Sequence, residues 1–548
     1  MAKKNHFDYD LIVIGSGAGG SAAATIAARA NKRVAIIEED TFGGDSPNWS
    51  DIPTKALLHA AYLYDEARHG TKFGLRSGTL SYNYPSLRAW KDLAVKRTGA
   101  AGNRKFYESH NIDTYAGHAQ FLSPNEISVN RKHISAGHFL IATGSRWITP
   151  DIPGLTDISY LTPRTMLESI RPPKSLYVIG ADSIGVEIAQ LMAIFGTKVY
   201  LAEIAARILP KEEEEVGRLL EHYLKDHKGV TALTQTRTVA IVKDGLGYRV
   251  SFLRGGVEKT IRVEEILVAA GRVPNVDLGL ENAHVEYDPT GIKTNEYLQT
   301  SARHIYAAGD VVGHAEHTHT ALLESQIAAH NMFSKSQLAP DYTATPRVTF
   351  TMPSVASVGL TEDDCIKRDL KVNKALAPLT IVARANTSDF RDGFAKIIAD
   401  KKGTILGATV VAPDAGEIIH ELALAVRLGL SARDIADTDK GLHERICSIL
   451  LEQPLDVGGA HGHICDEVHI HKHCLLHIVA DTALREDILE AQTDEICDIC
   501  LHLLAFVLIQ RIEIAHLIDE IGKEQSALLL DQHEHESERL TTQCKRIL

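Results

Sequence analysis

At 548 residues the chain is long enough for three or four domains, and its 44% hydrophobic and 24% charged residues are typical of a soluble globular protein. The net charge of −13 argues against nucleic-acid binding, because an acidic surface repels phosphate. We expect no transmembrane segment and no secretory signal, and seven cysteines without a framework spacing favour a cytoplasmic protein.

The first pattern along the chain is a βαβ unit with a glycine-rich turn. The unit begins with a predicted strand at 10–14 and the turn Gly-Ser-Gly-Ala-Gly-Gly at 15–20. A helix and a second strand at 34–37 follow. Gly15 permits the tight turn, Gly17 lets the backbone approach a pyrophosphate, and Gly20 lets the helix pack on the strand. Glu38 follows at the interval at which an acid accepts a hydrogen bond from a ribose hydroxyl. The pattern predicts a dinucleotide site rather than a tight turn without a ligand.

Residues 43–55 read Gly-Gly-Asp-Ser-Pro-Asn-Trp-Ser-Asp-Ile-Pro-Thr-Lys. They resemble the redox-active segment of the pyridine nucleotide-disulfide oxidoreductases, in which two cysteines carry electrons from a flavin. Ser46 and Asp51 stand at the two cysteine positions. Because a hydroxyl and a carboxylate cannot form a disulfide, the resemblance implies a flavoprotein of this family without its disulfide relay. Trp49 and the residues after it are also similar to the soluble pyridine nucleotide transhydrogenases, which likewise depart from the cysteine pair.

Two interpretations of Asp51 are open. Asp is a preferred N-cap residue and Pro53 suits a first helical turn, so Asp51 can cap a helix predicted from 53 to 64. In the resemblance, the second cysteine lies against the flavin as a thiolate. Asp51 would then keep that negative charge without its redox capacity, and would shift the flavin potential without carrying electrons.

Three later segments resemble other motifs of the same family. They read Ala-Thr-Gly-Ser-Arg, Ala-Ala-Gly-Arg-Val-Pro-Asn and Ile-Tyr-Ala-Ala-Gly-Asp, at 142–146, 269–275 and 305–310. The resemblance implies that Thr143 and Gly144 contact FAD, and that Asp310 accepts a hydrogen bond from its ribityl chain. Since the motifs occur in the family's order over roughly residues 8–455, FAD is the expected cofactor.

A second βαβ unit turns through Gly-Ala-Asp-Ser-Ile-Gly-Val-Glu at 180–187. In the family this turn binds NADH or NADPH. Gly180 and Gly185 keep the family pattern, whereas Asp182 stands at the middle glycine. A carboxylate there adds bulk and repels a pyrophosphate, which disfavours tight nucleotide binding. Glu203, after the next strand, suits a ribose 2′-hydroxyl, so NADH is favoured over NADPH as a possible second nucleotide.

Two charged residues of these segments are expected beside the flavin ring. The resemblance pairs Lys55 with Glu187 near flavin N5, the atom that accepts hydride. The alternative is that each residue is an ordinary surface charge. Their joint presence in matching motifs favours the ion pair, and we take Lys55 and Glu187 as the candidate catalytic residues.

Residues 346–362 resemble the opening strands of the family's dimerisation domain, which implies a homodimer. Farther on, a helix is predicted from 415 to 428. The family's acid–base His–Glu dyad near the end of that domain is not matched, because an ungapped alignment puts Leu442 at the His and Cys447 at the Glu. A shift of one residue offers His443 but no Glu, so both parts of the thiol chemistry are expected to be absent.

Residues 458–548 differ in composition from the rest of the chain. They carry 17 acidic and 7 basic residues, 10 of the 27 histidines and 5 of the 7 cysteines. Eight of these histidines and cysteines lie within 461–477, and imidazole and thiolate suit zinc or copper, but the spacing matches no standard zinc module. We favour a solvated segment leading into two helices, at about 482–521 and 523–545. The apolar faces of the first helix predict burial against the protein or a partner protein.

Together the segments predict an α/β protein with two Rossmann-like dinucleotide-binding domains, an α+β dimerisation domain and a helical C-terminal extension. The expected ranges are 1–155 and 281–344 for the FAD-binding domain, 156–280 for the NAD(P)-binding-like domain, 345–457 for the dimerisation domain and 458–548 for the acidic extension.

Three functions compete. The first is an FAD-dependent oxidoreductase that passes hydride from NAD(P)H through flavin to a non-disulfide acceptor such as a quinone, a dye, dioxygen or NADP. The second is an FAD-bound scaffold or redox sensor of the same family without catalysis, which Asp182 and the missing thiol chemistry favour. The third is a metal-handling protein that acts through the C-terminal extension.

Overall fold

The structure is a computed structural model and describes residues 7–438, apart from 77, 79 and 314–315. The predictions for 439–447 and for the extension 458–548 lie outside the described residues. Within the described part of the chain, no helix has both the length and the apolar character needed to cross a bilayer.

The first region of the chain forms a mainly parallel sheet with helices beside it. Its elements are β1 (Tyr9–Ile14), α1 (Ala18–Arg29), β2 (Val34–Glu38), α2 (Asp45–Asn48), α3 (Asp51–His69), α4 (Tyr84–Arg97), α5 (Arg104–Ser109), β3 (Ile112–Ala116), β4 (Ala119–Ser123), β5 (Glu126–Val129), β6 (Lys132–Ile141) and β7 (Ser145–Trp147). Strands β3, β2, β1 and β6 are parallel neighbours, and β5 and β4 extend the sheet in antiparallel pairing. The apolar runs of β1 and β2 are almost fully buried, as a strand covered on both faces requires.

The second region repeats the parallel arrangement in a smaller sheet. Its elements are α6 (Pro163–Leu167), β8 (Ser175–Ile179), α7 (Ser183–Ile194), β9 (Lys198–Ala202), α8 (Glu214–Lys228), β10 (Thr231–Leu233), β11 (Thr236–Asp244), β12 (Gly247–Arg254), β13 (Val257–Val263), β14 (Glu265–Val268) and β15 (Arg272–Pro274). Strands β10, β9, β8 and β14 are parallel neighbours, whereas β11, β12 and β13 form an antiparallel sheet. Strand β15 pairs with β7, so the two regions are joined through this short ladder.

The chain then returns to the first sheet. Its next elements are β16 (Tyr287–Asp288), β17 (Gly291–Ile292), β18 (Ile305–Ala307) and α9 (Thr318–Phe333). Strand β18 lies parallel to β6, with Ile305 opposite Phe139, and completes a seven-stranded sheet. In open sheets of this kind ligands bind beyond the carboxyl ends of the parallel strands, which is where both glycine turns lie.

The third region is α+β and consists of an antiparallel sheet with helices. Its elements are β19 (Arg347–Thr349), β20 (Ser354–Gly359), α10 (Glu362–Lys367), β21 (Asn373–Pro378), α11 (Ala383–Thr387), β22 (Phe394–Ala399), β23 (Ile405–Ala412), α12 (Ala415–Leu428) and α13 (Ala432–Thr438). The strand order is β19-β20-β23-β22-β21. Helix α12 buries residues such as Ile419 in the core formed with this sheet, and its bounds confirm the helix predicted over 415–428.

Candidate active site

The N-terminus of α1 presents an open glycine turn. Gly15 has φ of 101°, and a Cβ there would lie 2.2 Å from the Ala142 carbonyl oxygen, while a Cβ on Gly20 would lie 1.8 Å from the Gly15 oxygen. The protein's own packing therefore requires both glycines. Gly17, the N-cap of α1, has φ −67° and ψ −170°, and a Cβ on it would meet its nearest neighbour at 3.8 Å. Because neither backbone nor packing requires glycine at 17, the space above it is free for a ligand.

Glu38 is held at the edge of this turn by three hydrogen bonds. Its carboxylate accepts from the Ser16 amide at 3.0 Å, the Ser16 hydroxyl at 2.7 Å and the Asp40 amide at 3.0 Å. These donors place the carboxylate at the end of β2, beside the N-terminus of α1. That Glu38 also accepts from a ribose hydroxyl stays a prediction.

Thr143 and Gly144 are held by hydrogen bonds to Asn275, which lies 132 residues after Thr143 in the sequence. The Thr143 hydroxyl donates to the Asn275 carbonyl oxygen at 2.7 Å, and the Asn275 side-chain amide donates back to the Thr143 carbonyl oxygen at 2.9 Å. The Asn275 backbone amide also donates to the Gly144 oxygen at 3.0 Å. The two motifs that the sequence showed separately therefore form one hydrogen-bonded unit beneath β7 and β15.

Asp310, three residues after the end of β18, belongs to a polar cluster organised by Arg272. The Ser145 hydroxyl donates to Asp310 Oδ2 at 2.6 Å, and Arg272 Nε donates to the Ser145 hydroxyl at 2.6 Å. Arg272 is only 12% exposed, lies over the Trp147 ring and pairs with Asp45 in the segment before Ser46. The sequence places Arg272 in a family-like motif but does not predict its partners, because Asp45 is 227 residues away.

A buried hydroxyl without a partner lies in the first turn of α9. Thr320 is 1% exposed, and its Oγ1 has no hydrogen-bond partner in the described part of the chain. The adjacent Ala321 packs so closely that a Cβ on Gly309 would lie 3.1 Å from its side chain. Because an unsatisfied buried hydroxyl is unfavourable, a bound group that reaches it would stabilise the protein. This orphan, the open turn at Gly17 and the fixed carboxylate of Glu38 fit a dinucleotide such as FAD.

The two positions of the redox-like segment meet in space. Ser46 Oγ donates to Asp51 Oδ2 at 2.7 Å, and Thr318 Oγ1 donates to the same oxygen at 2.8 Å. Lys55 Nζ lies 3.7 Å from the other carboxylate oxygen. Helix α3 begins at Asp51 with Ser50 as its N-cap, and that cap has no side-chain hydrogen bond. The prediction that Asp51 caps the helix is therefore wrong, because two hydroxyls and an ammonium group occupy its carboxylate instead.

The predicted ion pair is formed between Lys55 and Glu187. The Lys55 Nζ lies 3.0 Å from Glu187 Oε2, and Glu187, 2% exposed, also accepts from the Phe350 amide at 2.8 Å. The Phe350 ring lies under the ammonium group, 4.6 Å from Nζ. Burial lowers the pKa of the Lys55 ammonium, but the carboxylates of Glu187 and Asp51 outweigh it and hold that pKa above its ordinary value. Lys55 is therefore a fixed cation between two carboxylates.

The second glycine turn repeats the geometry of the first. Gly180 has φ of 102°, and a Cβ there would lie 2.3 Å from a main-chain oxygen after β14, while a Cβ on Gly185 would lie 2.1 Å from the Gly180 oxygen. Glu203 accepts from the backbone amides of Ala181 at 2.8 Å and Ala205 at 2.9 Å. The strands, turn and acid of a nucleotide site are thus all present.

Asp182 is the N-cap of α7, and its side chain accepts from the Ser183 amide at 3.0 Å. Its second oxygen pairs with Lys211 Nζ at 2.9 Å. The carboxylate that stands at the middle glycine position therefore lies at the helix N-terminus. That it disfavours a bound nucleotide stays a prediction. Sequence reasoning missed Lys211, and a basic residue in the loop after β9 was the only available signal.

The fold combines two glycine turns at the ends of parallel strands, the hydrogen-bonded Thr143–Asn275 unit and a separate antiparallel domain. This arrangement is that of a flavoprotein with two nucleotide sites. Residues 9–325 match the pyridine nucleotide-disulphide oxidoreductase domain, and residues 345–440 match the dimerisation domain of the same proteins. The chain belongs to the pyridine nucleotide-disulphide oxidoreductase family. It is therefore placed among oxidoreductases that bind FAD and use NAD(P)H, and the dimerisation domain supports a homodimer.

Several relatives share most of the chain. It is 33% identical over 434 residues to a mercuric reductase of Staphylococcus aureus, with 79% of each protein covered. It is 36% identical over 438 residues to a dihydrolipoyl dehydrogenase of Thermus scotoductus, covering 78% of this chain and 93% of that protein. Among solved structures, the HOCl-induced flavoprotein disulfide reductase RclA from Escherichia coli matches with a TM-score of 0.72 and 25% identity, over 81% of this chain and all of that one. A Cu(II) complex of RclA matches equally well.

Proposed function

We propose that the protein transfers hydride from NAD(P)H through bound FAD to an acceptor that is not a disulfide. The contact of Ser46 Oγ with Asp51 Oδ2, at 2.7 Å, supports this most directly. The resemblance assigns the redox cysteines to these two positions, which meet here with oxygen atoms instead of sulfur. Cys365, the one cysteine among the described residues, is a buried free thiol in α10. The proposal includes a cytoplasmic location, which the cysteine usage favours.

In this proposal the chain's own residues bind the cofactor and set its surroundings. FAD, when bound, accepts and releases hydride. Gly17 leaves room for its pyrophosphate at the N-terminus of α1, Glu38 accepts from its ribose, and Asp310 accepts from its ribityl chain. Lys55 and Glu187 place a fixed ion pair near the reacting ring. Asp51 adds a negative charge 3.7 Å from Lys55, which disfavours an electron-rich flavin and lowers its potential.

A second candidate is an FAD-bound redox sensor that does not turn over. Asp182 favours it, because its carboxylate accepts from the Ser183 amide, one of the donors at the N-terminus of α7 that a nucleotide pyrophosphate would use. The sensor would share the FAD site of the enzyme, so only the response to nicotinamide nucleotides separates the two functions. A protein partner bound through the C-terminal extension would suit the sensor.

Anaerobic titration of the FAD-loaded protein with NADH and NADPH tests the proposal. We expect the flavin to bleach with one NADH consumed per FAD, NADH to act better than NADPH, and no thiolate-to-flavin charge-transfer band to develop. The reduced protein should then turn over quinones, dyes, dioxygen or a metal ion such as Hg(II) or Cu(II), but not lipoamide or glutathione disulfide. Rapid turnover of a disulfide would contradict the proposal. An unchanged yellow spectrum at saturating nucleotide would favour the sensor.

A matched pair of double variants sharpens this test. Ser46→Cys with Asp51→Cys restores sulfur at both positions. We therefore expect a charge-transfer band and the consumption of a second NADH per FAD, since reduction of a disulfide takes two electrons. Ser46→Ala with Asp51→Asn removes the same hydrogen bond without adding sulfur. It should take up the same number of electrons as the unmodified protein, at a higher flavin potential because the Asp51 charge is gone. Equal electron uptake by both double variants would show that these positions do not face the flavin.

A further inference from the structure

The N-terminus of α7 carries an anion supplied by the chain itself. The Asp182 carboxylate accepts from the Ser183 amide at 3.0 Å, and it pairs with Lys211 Nζ at 2.9 Å. A phosphate at a helix N-terminus would be stabilised in the same ways: by a hydrogen bond from a backbone amide, by the helix dipole and by a nearby cation. Asp182 therefore makes, within the protein, the contacts that a nucleotide pyrophosphate makes in an open turn.

The backbone at Asp182 is already that of an open turn. Asp182 has φ −77° and ψ 177°, and Gly17, its counterpart in the first unit, has φ −67° and ψ −170°. The two turns thus differ at this position in the side chain and not in the course of the main chain. Asp182 is 46% exposed, so a rotation about its side-chain bonds can carry the carboxylate into solvent without refolding the turn.

Lys211 combines an anchored backbone with an exposed side chain. Two residues before it, the buried Leu209 donates its amide to the Ala181 oxygen at 2.8 Å and has φ of 47°, a left-handed conformation that the surrounding contacts must maintain. The next residue, Glu212, is held by Arg347 at 3.2 Å. The Lys211 side chain is nevertheless 71% exposed. The loop therefore keeps the ammonium group beside the glycine turn, while the group itself can change partners.

We propose that Lys211 binds the pyrophosphate of the nicotinamide nucleotide and that Asp182 is an internal anion which the nucleotide displaces. Lys211 pairs with Asp182 in the free protein and with phosphate when the nucleotide is bound. The exposed pair of Asp182 with Lys211 contributes little, so breaking it costs little. The half-exposed Asp182 carboxylate turns into solvent when Lys211 moves to the phosphate, and this reduces its repulsion of the pyrophosphate. The inference rests on the NAD(P)H dependence of the proposed function, but not on the identity of the acceptor.

A binding cycle on the FAD-loaded full chain tests the exchange. The ligand is a reduced NADH analogue that cannot donate hydride, and its dissociation constant is measured by calorimetry for the unmodified protein, Asp182→Gly, Lys211→Met and the double variant. We expect Asp182→Gly to bind more tightly. We expect Lys211→Met to weaken binding roughly tenfold in both backgrounds, as the loss of a charged hydrogen bond predicts. Lys211→Arg should restore most of that affinity.

The double variant decides the matter. If Lys211 only neutralised Asp182, removing the lysine would have no effect once Asp182 is glycine, and equal affinities of Asp182→Gly and the double variant would overturn the inference. Failure of every variant to bind the analogue would overturn it as well. Lys225→Met, which removes an exposed lysine from α8, controls for the change in net charge. Because the analogue donates no hydride, these results are independent of whether any acceptor is reduced.

Discussion

The two βαβ units of this chain have nearly the same backbone but present different surfaces at the helix N-terminus. Gly15 and Gly180 have φ of 101° and 102°, and a Cβ on either would meet a carbonyl oxygen at 2.2 or 2.3 Å. At the equivalent cap position, the first unit has Gly17 and no side-chain hydrogen bond, whereas the second has Asp182 bonded to the first amide of its helix. One side chain thus separates an open turn from a covered one.

The acids after the second strand of each unit are also equivalent. Glu38 accepts from the amides of Ser16 and Asp40, and Glu203 accepts from the amides of Ala181 and Ala205. Both carboxylates therefore brace their own glycine turn. The difference at Gly17 and Asp182 suits two kinds of ligand: a resident cofactor can keep an open turn filled, while a nucleotide that exchanges in every cycle can share its donors with an internal anion.

The largest effect is expected when the aspartate of the second turn is introduced at the equivalent position of the first turn, Gly17, and the FAD content is measured. Gly17→Asp places a carboxylate at the N-terminus of α1, where the pyrophosphate of FAD is expected to bind. Since repulsion and bulk then act on the pyrophosphate together, we expect purified protein with little or no bound FAD, measured by absorbance. Gly78→Asp, at an exposed glycine with open space around it, should retain FAD. Normal FAD content in Gly17→Asp would refute the assignment of this turn.

A smaller effect is expected from a methyl group in either tight turn. Gly15→Ala and Gly180→Ala each combine a positive φ with a carbonyl contact near 2 Å, so we expect each to lower the unfolding free energy by about 2–4 kcal/mol. The FAD content should fall only in Gly15→Ala. Gly429→Ala has φ of 64° but no neighbour within 4 Å, and it controls for backbone strain alone. If the denaturant midpoints of Gly15→Ala and Gly180→Ala were no lower than that of Gly429→Ala, the backbone around the two turns would be shown to move aside without cost.

The smallest effect concerns the choice of nucleotide. Glu203→Gln keeps a hydrogen-bond acceptor beside Ala181 but removes a negative charge that would face the 2′-phosphate of NADPH. We expect the preference for NADH over NADPH, measured as the ratio of flavin reduction rates, to fall by roughly tenfold. Glu258→Gln, an exposed change on β13, should leave the ratio unchanged. An unaltered ratio in Glu203→Gln would show that Glu203 acts only as a brace for its turn.

Much of the fold and part of the site could be predicted from the sequence. Buried strands, glycine turns and the acids that follow them are set by residue types close together in the chain, so their patterns can be read locally. The resemblance also predicted the pair of Lys55 and Glu187, which lie 132 residues apart. The assignment of Asp51 as a helix cap was local reasoning too, and it failed because Ser46 and the distant Thr318 supply its hydrogen bonds.

The sequence by itself determined that this chain forms two βαβ units with glycine-rich turns, that Ser46 and Asp51 lie in the segment resembling the redox-active one, and that Asp182 lies in the second glycine turn. Only the tertiary structure decided what those carboxylates contact. Asp51 accepts a hydrogen bond from Thr318, which is 267 residues away in sequence. Asp182 pairs with Lys211, whose loop is hydrogen-bonded to the second glycine turn. The physical reason is that the backbone conformation of a turn or strand depends on residues close in sequence. The partner of a charged side chain depends instead on which distant segments the fold brings next to it.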